Sequence, residues 1–248
     1  MTKKQSKNGY ILHEGDDIVV IAVGFASASA NSKTGGMIQV YILHRHLSPL
    51  NAVRSGADSL ICGDCQHRGN KGQKRRCYVN LGQGPRSVWE CYKRGGYGYA
   101  DPAEYRALFS GKRVRFGAYG DPAFIPERIV RAIASVAERW TGYTHQWRAN
   151  GNAWLRDFVM ASCDSVRDAS DAIAANWRYF RVARRGDSAR LSREISCPAS
   201  AEAGKKTTCS NCCLCDGSRA DDRRANIVIQ DHSVIARSQP MGLFVVLA

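Results

Sequence analysis

The chemistry this chain could perform is written first in its cysteines. Ten occur in 248 residues, and seven of them fall into two groups. Cys209, Cys212 and Cys215 recur at two-residue spacing, which lets three thiolates turn inward on a tight loop and hold three corners of an iron–sulfur cube. Cys197 supplies a natural fourth ligand: Pro198 follows it, and ferredoxin runs place proline directly after a ligand that serves another part of the chain. Cys213 breaks the spacing and is expected to point away. Four thiolates also suit zinc, although zinc sites usually read as two Cys-x2-Cys knuckles.

The second group is Cys62-Gly-Asp-Cys65-Gln-His67 followed by Cys77-Tyr78. One reading gives three thiolates holding a cluster whose fourth iron stays open for a substrate or cofactor; another closes a zinc site with His67. A third joins Cys62 and Cys65 to two distal cysteines in one four-thiolate site. The spacing leaves all three standing, and the polar surroundings favour the open cluster. Cys91 and Cys163, on a helical face and a strand end, read as free buried thiols.

Other residues could serve such a centre. Gly120-Asp121-Pro122 closes an apolar strand: glycine lets a backbone approach a ligand, the carboxylate can accept from an amine or hydroxyl, and proline opens the next turn. His145 is the best acid–base candidate of the six histidines because imidazole titrates near neutrality, and Arg148 lies at the same strand end. Asp121, His145 and Arg148 are therefore the catalytic candidates, with Gly120, Asp121 and Pro122 for cofactor binding. Arg178, Arg181, Arg184 and Arg185 give a later strand a basic exit suited to phosphate or carboxylate. The glycine-ended loop 29–36 lacks Walker spacing and reads as a strand connection.

Positioning these groups requires a sheet. Apolar β-branched runs predict strands over 18–24 and 37–43, and helical spacing with an early proline predicts helices over 85–94 and 102–109. From residue 114 the pattern alternates: strand 114–119, helix 126–140, strands 141–145 and 158–163, helix 166–177, strand 179–183, then a last strand over 225–232. Such alternation implies right-handed crossovers and a mostly parallel sheet, with ligands at the carboxyl ends of the strands. The expected fold is α/β with a partial (β/α) barrel over 1–196, a basic cysteine-bearing insertion at 62–115, and a cysteine cluster with a closing strand over 197–248. An apolar tail at 242–247 is expected to dock.

The excess of 36 Lys and Arg over 22 Asp and Glu gives a net charge of +14, which favours a polyanionic partner such as nucleic acid or a nucleotide. No run of eighteen apolar residues is present, so no membrane helix is expected. The small residues at 27–30 after an apolar run resemble a leader cleavage site, but Glu14, Asp16 and Asp17 precede that run, where a leader tolerates acid poorly. A cytoplasmic location is expected, where grouped thiols serve as metal ligands rather than disulfides.

Over nearly its whole length the chain resembles a family of cysteine-rich proteins carried by phages and plasmids. The resemblance rests on Cys62-Gly-Asp-Cys65-x-His67-Arg68, Cys77-Tyr78, Gly120-Asp121-Pro122, Thr141-Gly-Tyr-Thr-His145-Gln-Trp-Arg148 and Cys197-Pro-Ala-Ser-x-Glu202. More distantly its plan is similar to the radical S-adenosylmethionine enzymes, which carry a three-cysteine cluster after an early strand of a partial parallel barrel. There a Gly-Gly-Glu-Pro turn after a later strand helps hold the amino group of S-adenosylmethionine. The resemblance implies that Cys62, Cys65 and Cys77 hold an open 4Fe–4S cluster, that Gly120, Asp121 and Pro122 stand for that turn, and that the distal cysteines hold an auxiliary cluster. The eleven residues between Cys65 and Cys77 replace the family's Cys-x3-Cys-x2-Cys spacing with a larger loop. The function expected is thus an iron–sulfur enzyme of a phage or plasmid acting on a phosphorylated substrate. The alternative is a zinc-stabilised nucleic-acid-binding protein without catalysis.

Overall fold

The β-branched runs become the most buried strands. In the computed structural model, which describes residues 7–28, 31–69, 74–187 and 189–231, strand β1 (Gly9–Glu14) leads into β2 (Ile18–Val23) and β3 (Ile38–His44). Val19, Val20, Ile21 and Ala22 are all fully buried, as a continuous apolar run covered on both faces requires. Helix α1 (Pro49–Ser55) starts where the Ser48 side chain accepts from the Asn51 amide and stops at Gly56, which takes the left-handed conformation. It is followed by α2 (Ser59–Cys62), α3 (Gly84–Lys93), β4 (Gly98–Tyr99) and a 3-10 turn that continues into α4 (Tyr105–Phe109).

The second half alternates: β5 (Arg113–Tyr119), α5 (Glu127–Ala134), β6 (Arg139–Thr144), two 3-10 turns, β7 (Met160–Cys163), α6 (Val166–Ala174), β8 (Tyr179–Ala183), β9 (Glu194–Ser196), α7 (Cys209–Cys212) and β10 (Asn226–Gln230). All ten strands form one sheet in the order β4-β1-β2-β3-β5-β6-β7-β8-β10-β9. The pairs β1–β2 and β2–β3 are antiparallel, and the pairings from β3 through to β9 are parallel. The chain is therefore α/β with a mostly parallel sheet. Because β10 lies between β8 and β9, the sheet continues across residue 197.

Strands β3, β5, β6, β7 and β8 are neighbours in chain order; beyond them the chain passes to the edge strand β9 and reverses to insert β10 between β8 and β9. Right-handed crossovers in a constant direction put the connecting helices on one face. Ile129, Val130 and Ile133 of α5 and Ala169 and Ala172 of α6 accordingly share a core with Val114, Phe116, Ala161 and Tyr179. The opposite face presents Tyr143, Met160, Phe180, Val182, Ile227 and Ile229, and these pack against Cys197, Ala199, Cys209, Leu214 and Cys215. The distal cysteine segment thus covers the face that the helices leave open.

Several expectations are corrected. The helix expected over 126–140 ends at Ala134, because Ala137 bridges Ser110 and Arg139 and Trp140 already pair with Arg113 and Val114 of β5. The strand expected from 158 begins at Met160; the amides of Phe158 and Val159 both donate to the Leu155 carbonyl and close a 3-10 turn. Arg178 and Arg181 do not form a basic exit. Arg178 is buried and donates to the carbonyls of Leu214, Gly217 and Ala225, while Arg181 makes two 2.7 Å bonds to the Glu194 carboxylate. The end of the strand expected over 225–232 and the tail at 242–247 lie outside the described residues.

The Arg181–Glu194 pair ties β8 to β9 across the intervening β10 and has both side chains almost wholly buried. Replacing Glu194 by alanine strands a buried guanidinium and is expected to cost about 3–5 kcal/mol in urea unfolding; a loss under about 1 kcal/mol would contradict the burial of this pair.

Candidate metal centres

The first cysteine group is built on the carboxyl end of β3. After α2, the Cys65 amide donates to the Cys62 carbonyl and closes a tight turn. Gly63 within it has φ +54°, and a Cβ there would come within 2.4 Å of the Gln146 side chain. Only glycine lets the cysteine turn lie against Gln146, whose amide reaches the Cys62 carbonyl at 3.4 Å. The long interval to Cys77 closes on itself: the amides of Arg76 and Cys77 both donate to the His67 carbonyl, at 2.9 and 2.8 Å. Cys77 is thereby returned beside Cys65. Arg76 also pairs with Asp231, just beyond β10, at 2.5 Å, so this segment reaches across the strand ends from β3 to β10.

Burial pushes the Cys62 thiol far up in pKa, and the nearby thiols of Cys65 and Cys77 and the carboxylates of Asp58 and Asp121 push it further. Burial raises Cys77 too, with partial relief from Arg75. Thiols set this close repel one another as thiolates, and a bound cation is what reverses that repulsion.

Polar strand ends complete this rim. His145, directly after β6, donates from Nε2 to Asp164, directly after β7, at 3.2 Å, and lies 4.0 Å from Cys65 Sγ. His67 Nε2 meets the other oxygen of Asp164 at 2.6 Å, and the Gln66 amide donates to Asp164 at 2.7 Å. Burial works against charge on His145, but Asp164 and Cys65 more than offset it and hold its pKa well above the ordinary imidazole value. Burial likewise opposes ionisation of Asp164, and the two imidazoles overcome it, keeping the carboxyl well below its usual range. Asp164 was not singled out by motif. Its signal was positional, a carboxylate at the end of a parallel strand, where such sheets bind ligands.

Asp121 has a different setting. Its carboxylate accepts from the Ala123 amide at 3.0 Å, the Thr144 hydroxyl at 2.6 Å and the His145 amide at 2.8 Å, so it stitches the end of β5 to the end of β6. Gly120 before it has φ +81°, and a Cβ there would meet the Ile42 carbonyl at 2.6 Å, which packs this turn onto β3. Arg148 turns away from the thiols: it lies over the Trp147 ring and pairs with Asp168 and Asp171 of α6. Of the three catalytic candidates, His145 is the one in contact with a thiol of the first group.

The distal group gathers on the open face. Thr208 caps α7, the amides of Cys209 and Ser210 donate to the carbonyls of Lys33 and Thr34, and the Gly142 amide of β6 donates to the Cys215 carbonyl. The loop before β3 therefore serves as a strut for the cysteines. Cys197, Cys209, Cys212 and Cys215 line one small cavity with Tyr143 and Ile227. Cys213, in the left-handed conformation, turns its thiol back to the carbonyls of Cys209 and Ser210. Burial raises the pKa of Cys197, Cys209 and Cys215, and the neighbouring thiols add to it in each case. The joined reading does not fit, because Cys62 and Cys65 lie against Asp121 and His145 while the distal four surround Tyr143. Arg115 of β5 stands between the groups, 3.3 Å from the Tyr78 hydroxyl beside Cys77 and electrostatically coupled to Cys209. Cys163 is fully buried on the helix-covered face.

The two sets differ from a zinc site in spread. Four thiolates on one zinc at 2.3 Å stand about 3.8 Å apart. Among the described residues, the group of three or more His, Cys, Asp or Glu ligand atoms found within 4.8 Å of one another is His67, His145 and Asp164. Among the described residues, neither cysteine set brings three ligand atoms within that distance of one another. Comparison of the chain with protein-family models, with curated proteins and with solved structures finds no match.

Asp121→Ala leaves three donors without their acceptor in a buried site and is expected to lower stability by about 3 kcal/mol in chemical denaturation. An unchanged unfolding midpoint would contradict the stitching role.

Proposed function

We propose that this chain is an iron–sulfur enzyme related in plan to the radical S-adenosylmethionine enzymes, with an open cluster on Cys62, Cys65 and Cys77 and a second cluster on Cys197, Cys209, Cys212 and Cys215. The observation that carries the reading is the return of Cys77 to Cys65 through the His67 carbonyl, which gathers three thiols at the carboxyl end of the first parallel strand. The turn Gly120-Asp121-Pro122 then falls at the end of the second parallel strand, beside them. In-order winding from β3 to β8, before the chain reverses from β9 to β10, supports a partial barrel, since barrels and their fragments wind in one direction.

Three cysteines leave one iron of a 4Fe–4S cluster free, and when bound such a cluster supplies the electron that cleaves S-adenosylmethionine to begin radical chemistry. The protein's own residues do the rest. Asp121 holds the His145 amide and so fixes the height of that imidazole against Cys65. Gln146 carries the cysteine turn. The half-buried Arg115, held by the Tyr78 hydroxyl, and the +14 charge support a phosphorylated substrate: nucleic acid, a nucleotide or a smaller phosphate ester. The family resemblance and the grouped free thiols support a mobile-element protein working in the host cytoplasm.

Protein purified without oxygen is expected to carry about eight iron and eight labile sulfide per chain, the content of two 4Fe–4S clusters. Cys65→Ala is expected to lose turnover and about half of the iron while keeping the distal half, and Cys212→Ala to do the reverse. A colourless protein with stoichiometric zinc, prepared with ample iron, would overturn the proposal in favour of a zinc-stabilised nucleic-acid-binding protein.

A further inference from the structure

We infer that His67, His145 and Asp164 form a third, separate site for a single divalent metal ion at the rim of the sheet. It does not rest on what the neighbouring thiols hold. The three residues come from different elements: His67 from the cysteine turn after β3, His145 from the end of β6 and Asp164 from the end of β7. Their ligand atoms lie within 4.8 Å of one another. Two ligands of one ion at 2.0–2.1 Å stand about 2.8–3.0 Å apart in octahedral geometry and about 3.3–3.4 Å apart in tetrahedral geometry. The separations of 2.6 and 3.2 Å from the two imidazoles to the two oxygens of Asp164 are close to that span, so a metal ion can replace the shared protons once the two imidazoles, within 4.8 Å of each other, close onto it.

Two imidazoles and one carboxylate are the donor set of sites that keep coordination positions open for water or substrate. The surroundings suit this role. Gln66 donates to Asp164, the kind of outer hydrogen bond that orients a ligating carboxylate, and the Asp164 amide is itself held by Asp168. The side chains of His67, His145 and Asp164 are 17, 21 and 11% exposed, enough for an ion to enter and for its open positions to face the rim. An ion there would hold an oxygen of an anionic substrate beside Cys65. Imidazole and carboxylate donors favour Mn2+, Fe2+ or Zn2+ over the soft ions that thiolates select.

The probe is Mn2+, which thiolates bind poorly. The full-length protein, with whatever its cysteines carry, is titrated with Mn2+ while the room-temperature EPR signal of free aqueous Mn2+ is followed. One ion bound per chain is expected, with Asp164→Asn and His67→Gln each weakening binding at least tenfold and Asp168→Ala, which keeps all three ligands, weakening it less. The variant lacking Cys62, Cys65 and Cys77 is expected to keep Mn2+ binding, which separates this site from the proposed cluster. Absence of stoichiometric binding by the wild type would overturn the inference and leave a hydrogen-bonded His–Asp–His group. So would loss of binding in a folded triple-cysteine variant, or unchanged affinity in Asp164→Asn.

Discussion

Two hydrogen bonds, from the amides of Arg76 and Cys77 to the carbonyl of His67, decide whether the first cysteine group exists as a group at all. Without them Cys77 is the far end of a long basic loop. With them it stands beside Cys65, and His67 is fixed at the base of the same neck, facing Asp164. The direct result is a local excess of half-buried thiols, of which Cys62 and Cys77 resist ionisation.

That neck works because of how the sheet is wound. Parallel strands laid side by side put their carboxyl ends on one rim, so residues that follow β3, β5, β6 and β7 meet there although Cys62 and Cys77 lie far along the chain from β3. Cys62 follows β3, Asp121 follows β5, His145 follows β6 and Asp164 follows β7. The same winding sends α5 and α6 to one face and leaves the other for the 197–215 segment, whose cysteines pack where a helix would otherwise lie. Arg115 of β5 touches Tyr78, the neighbour of Cys77, and is electrostatically near Cys209 of the distal set.

Much of this was legible in the residues. The strands β2, β3, β5 and β8 and the helix α3 follow their apolar runs closely, because a strand buried on both faces must be continuously apolar and proline marks the helix start. Spacing marks the two cysteine motifs, and the cavity shared by Cys197, Cys209, Cys212 and Cys215 agrees with the second of them. What spacing could not convey was closure: the neck at His67 is made by main-chain groups, which every residue carries. Asp164 was legible only as a carboxylate at a strand end, since its importance comes from two imidazoles distant in the chain. Arg148, Arg178 and Arg181 show the opposite error. A guanidinium at a strand end suggests a ligand, yet each of these is occupied by carboxylates or carbonyls of its own chain. The short strands β1, β4 and β9 and the early end of α5 depend on pairing partners rather than on local pattern.

The proposed enzyme requires one iron at the rim to be open to S-adenosylmethionine. The most direct test is low-temperature EPR of the dithionite-reduced protein before and after S-adenosylmethionine is added, alongside the Cys65→Ala variant. The wild-type cluster signal is predicted to change its g values on addition, and the variant, with only its distal cluster, to show the same spectrum in both states. A wild-type spectrum indifferent to S-adenosylmethionine, in protein carrying both clusters, would contradict an open site on Cys62, Cys65 and Cys77.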